Sequence, residues 1–229
     1  MKVLLVNPTF HSRYPLGVSY GEPLGLAYIA AALEADGRHS VEMVDSVGLA
    51  TSFPKSGGML RIGIAENELL SLLAKRTADL IGVSLISSVH APEILSFINH
   101  LKELHPHTPI VVGGSHATLE WEATLAHGAI DYVVLGEGEA TMVALTQRLS
   151  EKGDVAGVAG LAYRTASGSV ARTPDREALP VDTIAPPARH LLPMANYFAH
   201  QPRHYYMRHP VATIITSRAC PYNCIFCST

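Results

Sequence analysis

Short aliphatic runs alternate with helix-patterned segments from the first residue to about residue 150, and that alternation leaves few folds open. Lys2–Val6 is a short β-branched and aliphatic run of the kind buried on both faces, and Val41–Val44, Leu80–Leu85, Ile110–Val112 and Tyr132–Leu135 read as further strands. Between them lie five helical segments. In Leu24–Ala35, Leu24, Tyr28, Ala31, Ala32 and Ala35 recur at three- and four-residue spacing, Pro23 suits the first turn, and Gly37 stands where helices end. Glu66–Arg76, Pro92–Leu104, Glu120–Ala126 and Ala140–Ser150 complete the set. Strands and helices in strict alternation, joined by right-handed crossovers, predict an α/β fold: a flavodoxin-like, doubly wound, parallel five-stranded sheet over residues 1–152. With 48% hydrophobic and only 16% charged residues, the chain has ample material for its core. The stretch Ser46–Ala65 is long for a connection, and its Gly57-Gly58 reads as flexible, either a lid or a loose insertion.

After residue 152 the pattern changes. Gly160–Arg164 and Ser169–Thr173, separated by Ala166-Ser167-Gly168, predict a β-hairpin extension within 153–179. Residues 180–210, centred on Pro186-Pro187, read as an extended linker. Val211–Thr216 is a fresh β-branched run leading into a cysteine-bearing loop, so residues 211–229 are expected to start a second domain that the chain does not finish. The net charge of −3 and the lack of any Lys/Arg run argue against nucleic acid as a partner. No apolar stretch approaches the ~18 residues needed to span a bilayer, and Asn7-Pro8 cuts the first apolar run too early for a signal peptide. A cytoplasmic protein is expected, without a membrane partner.

All three cysteines lie in the last ten residues, as Cys220-Pro221-Tyr222-Asn223-Cys224-Ile225-Phe226-Cys227. Such clustering suits a metal or cluster site in a reducing compartment better than a disulfide framework. Three thiolates this close match three irons of a [4Fe-4S] cube, leaving the fourth iron open to a chelating substrate. Zinc, with His209 as a fourth ligand, and three unrelated thiols are the alternatives.

In an open α/β sheet, ligands bind outside the carboxyl ends of the strands. Those ends are Asn7-Pro8-Thr9, Ser84 running on to Ser87-Ser88, Gly113-Gly114-Ser115-His116-Ala117-Thr118, and Gly136-Glu137-Gly138-Glu139. Glycines admit a flat ligand to the backbone, and hydroxyls bond its polar edges. Their concurrence on one edge points to a large, partly polar cofactor with a long tail, although each loop alone is also ordinary turn chemistry. No G-x-G-x-x-G follows the first strand, which counts against an ordinary dinucleotide site.

The run Thr216-Ser217-Arg218-Ala219-Cys220 through Cys227 resembles the cluster loop of radical S-adenosylmethionine enzymes, with Ala219 where glycine is more usual. The whole chain is similar to the N-terminal part of their cobalamin-dependent branch. The matching segments include Asn7-Pro8, Pro23-Leu24-Gly25-Leu26-Ala27-Tyr28, Gly82-Val83-Ser84, Gly113 to Thr118, Asp131 to Glu139 and Gly160 to Arg164. The resemblance implies a cobalamin-binding Rossmann-like domain with the nucleotide tail threaded between sheet and helices, and the truncated start of a radical S-adenosylmethionine barrel. Ser84, Ser88, Gly113 and Gly114 would line the tail pocket, with His116 near the corrin edge and Asn7, Pro8, Gly136, Glu137 and Gly138 on the same rim. Cys220, Cys224 and Cys227 would hold the [4Fe-4S] cluster to which S-adenosylmethionine binds. The nearest counterpart of the D-x-H-x-x-G motif that ligates cobalt is Thr9-Phe10-His11-Ser12-Arg13-Tyr14, which lacks the aspartate and the glycine. Base-off cobalamin without a histidine ligand is therefore expected, His11 having no carboxylate partner to fix its tautomer.

The implied activity is methyl transfer to an unactivated carbon or phosphinate, cyclisation being a further chemistry of the group. The implied partners are a reductant for the cluster and a small-molecule or peptide substrate reached through the rest of the barrel. The chain alone is expected to bind cobalamin without catalysing, and no catalytic residue is assigned. A non-enzymatic corrinoid carrier with a zinc or empty cysteine site, and a docking module without cobalamin, remain the alternatives.

Overall fold

The computed structural model describes residues 1–13, 21–165, 167–200, 208, 210–218, 222, 224 and 225. In chain order the elements are β1 (Lys2–Asn7), β2 (Phe10–Ser12), α1 (Leu24–Asp36), β3 (Ser40–Asp45), α2 (Ser46–Leu49), β4 (Lys55–Ser56), β5 (Met59–Ile62) and α3 (Glu66–Leu73). They continue with β6 (Leu80–Ser84), α4 (Ala91–Leu104), β7 (Ile110–Gly113), α5 (Ser115–Leu119), α6 (Trp121–Ala126), β8 (Tyr132–Val134) and α7 (Glu139–Ser150). The hairpin β9 (Leu161–Arg164) and β10 (Val170–Arg172) follows, and α8 (Met194–His200) closes the series.

The main sheet runs β10-β9-β8-β7-β6-β1-β3. Its five parallel strands, β3-β1-β6-β7-β8, have the flavodoxin-like order, in which strand order reverses between β1 and β6. The sheet is seven-stranded rather than five-stranded because the hairpin continues it: β9 pairs antiparallel with β8, Val133 opposite Ala162. α1 ends at Gly37, whose left-handed φ of 72° lets its N–H reach the Glu34 carbonyl.

Strand alternation sorts side chains to two faces. Leu4, Val6, Ile81, Val83, Val112 and Val133 pack against Leu69 and Leu73 of α3, Ile94, Phe97, Ile98 and Leu101 of α4, and Leu125 of α6. Val3, Leu5, Leu80, Val111 and Val134 face Leu26, Ala30 and Leu33 of α1 and Met142 and Leu145 of α7. Every residue of both sets is buried. At roughly 1.5–3 kcal/mol for each large aliphatic or aromatic side chain withdrawn from water, these two layers hold the sheet rigid beneath its rim.

Three sequence expectations are corrected. Ser46–Ala65 is not a loose insertion: β5 pairs antiparallel with β2 and β4 in a second, three-stranded sheet. Gly57-Gly58 is its two-residue hairpin turn, with φ of 56° and 82°, a conformation open to glycine at both positions. The segment predicted as one helix over 120–126 begins earlier, as the pair α5 and α6. Val211–Thr216 forms no strand. A strand requires a hydrogen-bonding neighbour, and the polar groups here go elsewhere: the Thr213 N–H and hydroxyl donate to Glu22, and its carbonyl accepts from Arg189.

Candidate functional site

On the face toward α1 and α7, side chains shrink as the strands approach their carboxyl ends. Register sets Leu5 beside Gly82 and Gly82 beside Val111, and one row further out sets Ser84 beside Gly113 and Gly113 beside Val134. Two glycines and a serine in the middle of these rows leave a slot between sheet and helices. It is roofed by Gly25, Leu26 and Ile29 of α1 and Met142 of α7, and its lip is Gly136-Glu137-Gly138-Glu139. Its volume is about 270 Å3. That is below the usual span for a cavity that takes in a whole drug-sized ligand.

The two adjacent glycines differ in what they do. A Cβ on Gly113 would meet only Val134, at an ordinary 3.7 Å, so its smallness leaves room in the slot. A Cβ on Gly114 would stand 2.6 Å from the Leu85 carbonyl oxygen, and its φ is 122°, so here glycine serves the turn itself. Gly82 is also close-packed, with Leu5 Cδ2 at 2.8 Å from an added Cβ.

From the slot's edge outward the rim carries exposed aliphatic side chains. Ile86, Val89 and Leu119 are 60%, 84% and 52% exposed. The loops that carry them are stitched together: His116 N–H donates to the Ile86 carbonyl, and the His116 ring bonds Ser88 Oγ at 2.9 Å. Exposed aliphatics on a rigid edge are a surface waiting for a partner or ligand.

Arg218 crosses the lip. Its guanidinium donates to Glu139 Oε1 at 2.8 Å, lies 3.7 Å from Glu137 Oε1, and stacks 4.6 Å above the Tyr28 ring centroid. Glu139, the first residue of α7, also faces the positive end of that helix.

Of the residues marked from sequence, Ser84, Gly113, Gly114, Gly136, Glu137 and Gly138 line the slot. Asn7, Pro8, Ser88 and His116 do not. Asn7 donates to Asp45 Oδ1 at 2.8 Å, Pro8 is buried after β1, and Ser88 and His116 bond each other on the rim. Asp45 is 2% exposed and also accepts from Tyr197 of α8; burial pushes its carboxyl above the ordinary range and the Tyr197 hydroxyl above its own. Cys220 and Cys227 lie outside the described residues, and Cys224 is exposed. The slot residues Gly82, Leu26, Ile29, Met142 and Arg218 were not marked as site residues from sequence, whereas Glu139 stood in the strand end Gly136-Glu137-Gly138-Glu139 that was. Gly82 shares strand parity with Ser84 and was legible in principle; Arg218 carries no local signal.

The expectation that His11 lacks a carboxylate partner is overturned. Its backbone N–H donates to Glu93 Oε2 at 3.0 Å and its ring Nδ1 bonds Glu93 Oε1, so α4 supplies in space the carboxylate that the sequence lacks nearby. A carboxylate anchor is what metal-binding histidines use. His11 is nonetheless absent from the slot lining, on β2 of the side sheet.

Residues 18–146 match the model of the B12 binding domain. Over its full length the chain is 32% identical to an uncharacterized methyltransferase of Pyrococcus horikoshii and 30% identical to cytidylyl-2-hydroxyethylphosphonate methyltransferase of Streptomyces wedmorensis. It spans 45% and 48% of those two proteins, less than half of each. Among solved structures it is similar to TsrM, a radical S-adenosylmethionine methyltransferase from Kitasatospora setae, with cobalamin and a [4Fe-4S] cluster bound. The TM-score is 0.57 at 26% identity, over 81% of this chain and 31% of that one. The fold is also shared with the cobalamin-dependent S-adenosylmethionine radical enzyme OxsB, at TM-score 0.64 and 21% identity, over 86% of this chain and 25% of that one. Among the described residues no helix is long and apolar enough to cross a membrane.

Proposed function

The chain belongs to the B12-binding domain family, and on that premise we propose that it is the cobalamin-binding portion of a radical S-adenosylmethionine methyltransferase acting on an unactivated carbon or phosphinate. The observation that carries this reading is the slot: a small-residue floor on a rigid sheet, open to an apolar rim. Gly113 and Ser84 would receive the dimethylbenzimidazole tail, the serine hydroxyl bonding its edge while Leu26, Ile29 and Met142 exclude water. Gly114 and Gly136 to Gly138 would shape the lip, and Ile86, Val89 and Leu119 would lie against the corrin. Ser88, His116, Asn7 and Pro8 would act from the rim. Bound there, cobalamin supplies a transferable methyl group, and a [4Fe-4S] cluster on Cys220, Cys224 and Cys227 supplies the electron that cleaves S-adenosylmethionine.

With its tail in the slot the cofactor would be base-off, and His11, held by Glu93 on the side sheet, would not serve as its cobalt ligand. The two relatives named as methyltransferases support the activity, and the cysteine spacing supports the cluster. The 229-residue chain alone is proposed to bind without turnover, the rest of the machinery belonging to a longer protein and to a cytoplasmic reductant. Anaerobic incubation with hydroxocobalamin, gel filtration and electron paramagnetic resonance of the reduced cobalt test the reading. A retained corrin with no nitrogen splitting on cobalt, unchanged in His11→Ala, is the expected result. Nitrogen splitting that disappears in His11→Ala overturns the histidine-free state; failure to retain any corrin overturns the cofactor assignment.

A further inference from the structure

Of the described residues that line the slot, Arg218 alone comes from beyond residue 142. It stands in sequence two residues before Cys220, on a segment that has no regular structure. Its bonds nevertheless reach both walls of the mouth. Glu139 and Glu137 belong to the lip and the start of α7, and Tyr28, itself outside the slot lining, belongs to α1, whose Gly25, Leu26 and Ile29 line it, so the guanidinium ties one helix to the other beside the opening. The side chain is 17% exposed and its Glu139 partner 6%, which removes the pair from the screening that makes surface ion pairs weak. Removing the arginine would leave the Glu139 carboxylate buried without a counter-charge. Five residues upstream, Thr213 is tied to Glu22 by its N–H and hydroxyl, at 3.3 and 3.2 Å, and Arg189 bonds the same carboxylate at 3.1 Å. Between these two attachments Ile214 arches out, 77% exposed.

We propose that Arg218 is a latch: seated on Glu139, Glu137 and Tyr28 it closes the mouth of the slot, so that entry and exit of the cofactor tail require its release. This inference rests on the slot's being the site of the cobalamin tail. Because the latch is carried by the residues leading into Cys220, slot occupancy and the position of the cysteine run are tied together. Arg218 is a positioning residue in this scheme and takes no part in bond making.

The test is the dissociation rate of bound hydroxocobalamin from the whole chain, followed by visible absorbance with an excess of apo corrinoid-binding protein as trap. Arg218→Ala is expected to raise both association and dissociation rates about 10-fold, as expected from losing one charge-assisted hydrogen bond at the mouth. Arg218→Lys keeps the charge but loses the fork and the ring stacking, and should fall between the two. Glu139→Gln, which leaves the carboxy-terminal segment unaltered, should raise the rates in the same direction. Amide exchange checks folding: in Arg218→Ala, residues 211–218 should exchange faster while β1, β6 and β7 stay protected. Faster exchange at 211–218 with dissociation within two-fold of the native rate would make Arg218 a mere tether and overturn the latch. A native chain that retains no corrin would instead overturn the cofactor reading and the latch with it.

Discussion

The slot and the cysteine run make opposite use of the polypeptide. Around the slot, position is set by two buried layers and by strand register, so that Ser84 and Gly113 fall side by side although they stand 29 positions apart in sequence. In the cysteine run, described residues such as Tyr222, Cys224 and Ile225 are exposed, and the segment before them is held by Thr213 and Arg218 rather than by a core. The sheet can prepare a cavity before any ligand arrives; three thiolates gain their geometry from the metal they bind. One region should therefore survive loss of its ligand and the other should not.

The widest separation is expected from replacing Cys220, Cys224 and Cys227 with alanine. Iron after anaerobic reconstitution should fall from about four per chain to none, while corrin retention and melting temperature stay unchanged. Metal analysis returning one zinc and no sulfide from the native chain would break the comparison on the cluster side. Next in size, Gly114→Ala should destabilise the fold by about 3 kcal/mol in urea titration, the upper end for forcing a side chain into a strained backbone conformation. Its added Cβ meets the Leu85 backbone, which cannot move aside as a side chain could.

A smaller effect should come from Asp45, whose carboxyl is raised by burial. Below pH 3.8 the group is protonated in both folded and unfolded chains and contributes no pH dependence. As pH rises past 3.8 the unfolded chain releases its proton first, so stability falls until the buried group also ionises. Asp45→Asn should flatten that decline in melting temperature against pH and leave corrin binding alone, because Asp45 braces β1 and α8 outside the slot.

The periodic part of this protein was legible. The five parallel strands and the hairpin follow from β-branched runs and turn residues, and the site edge follows from where those runs end. The side sheet was not, because β2, β4 and β5 are four residues or fewer and gain their order from Ile62, Val47 and Tyr197, which meet only in the fold. The partner of His11 escaped for a similar reason: Glu93 is 82 residues away in sequence. Glycine at a strand end was also ambiguous from sequence, since Gly113 and Gly114 look alike until one is found to leave space and the other to relieve strain.

That pair of glycines offers the most direct test. A Cβ added at Gly113 meets only Val134, at ordinary contact distances of 3.7 and 3.9 Å, and Gly113 lines the slot, so Gly113→Leu should keep the native melting temperature and weaken hydroxocobalamin binding at least ~100-fold in an absorbance titration. Corrin bound with native affinity by a fully folded Gly113→Leu chain would contradict the account, for it would mean that the tail does not enter between the sheet and its helices.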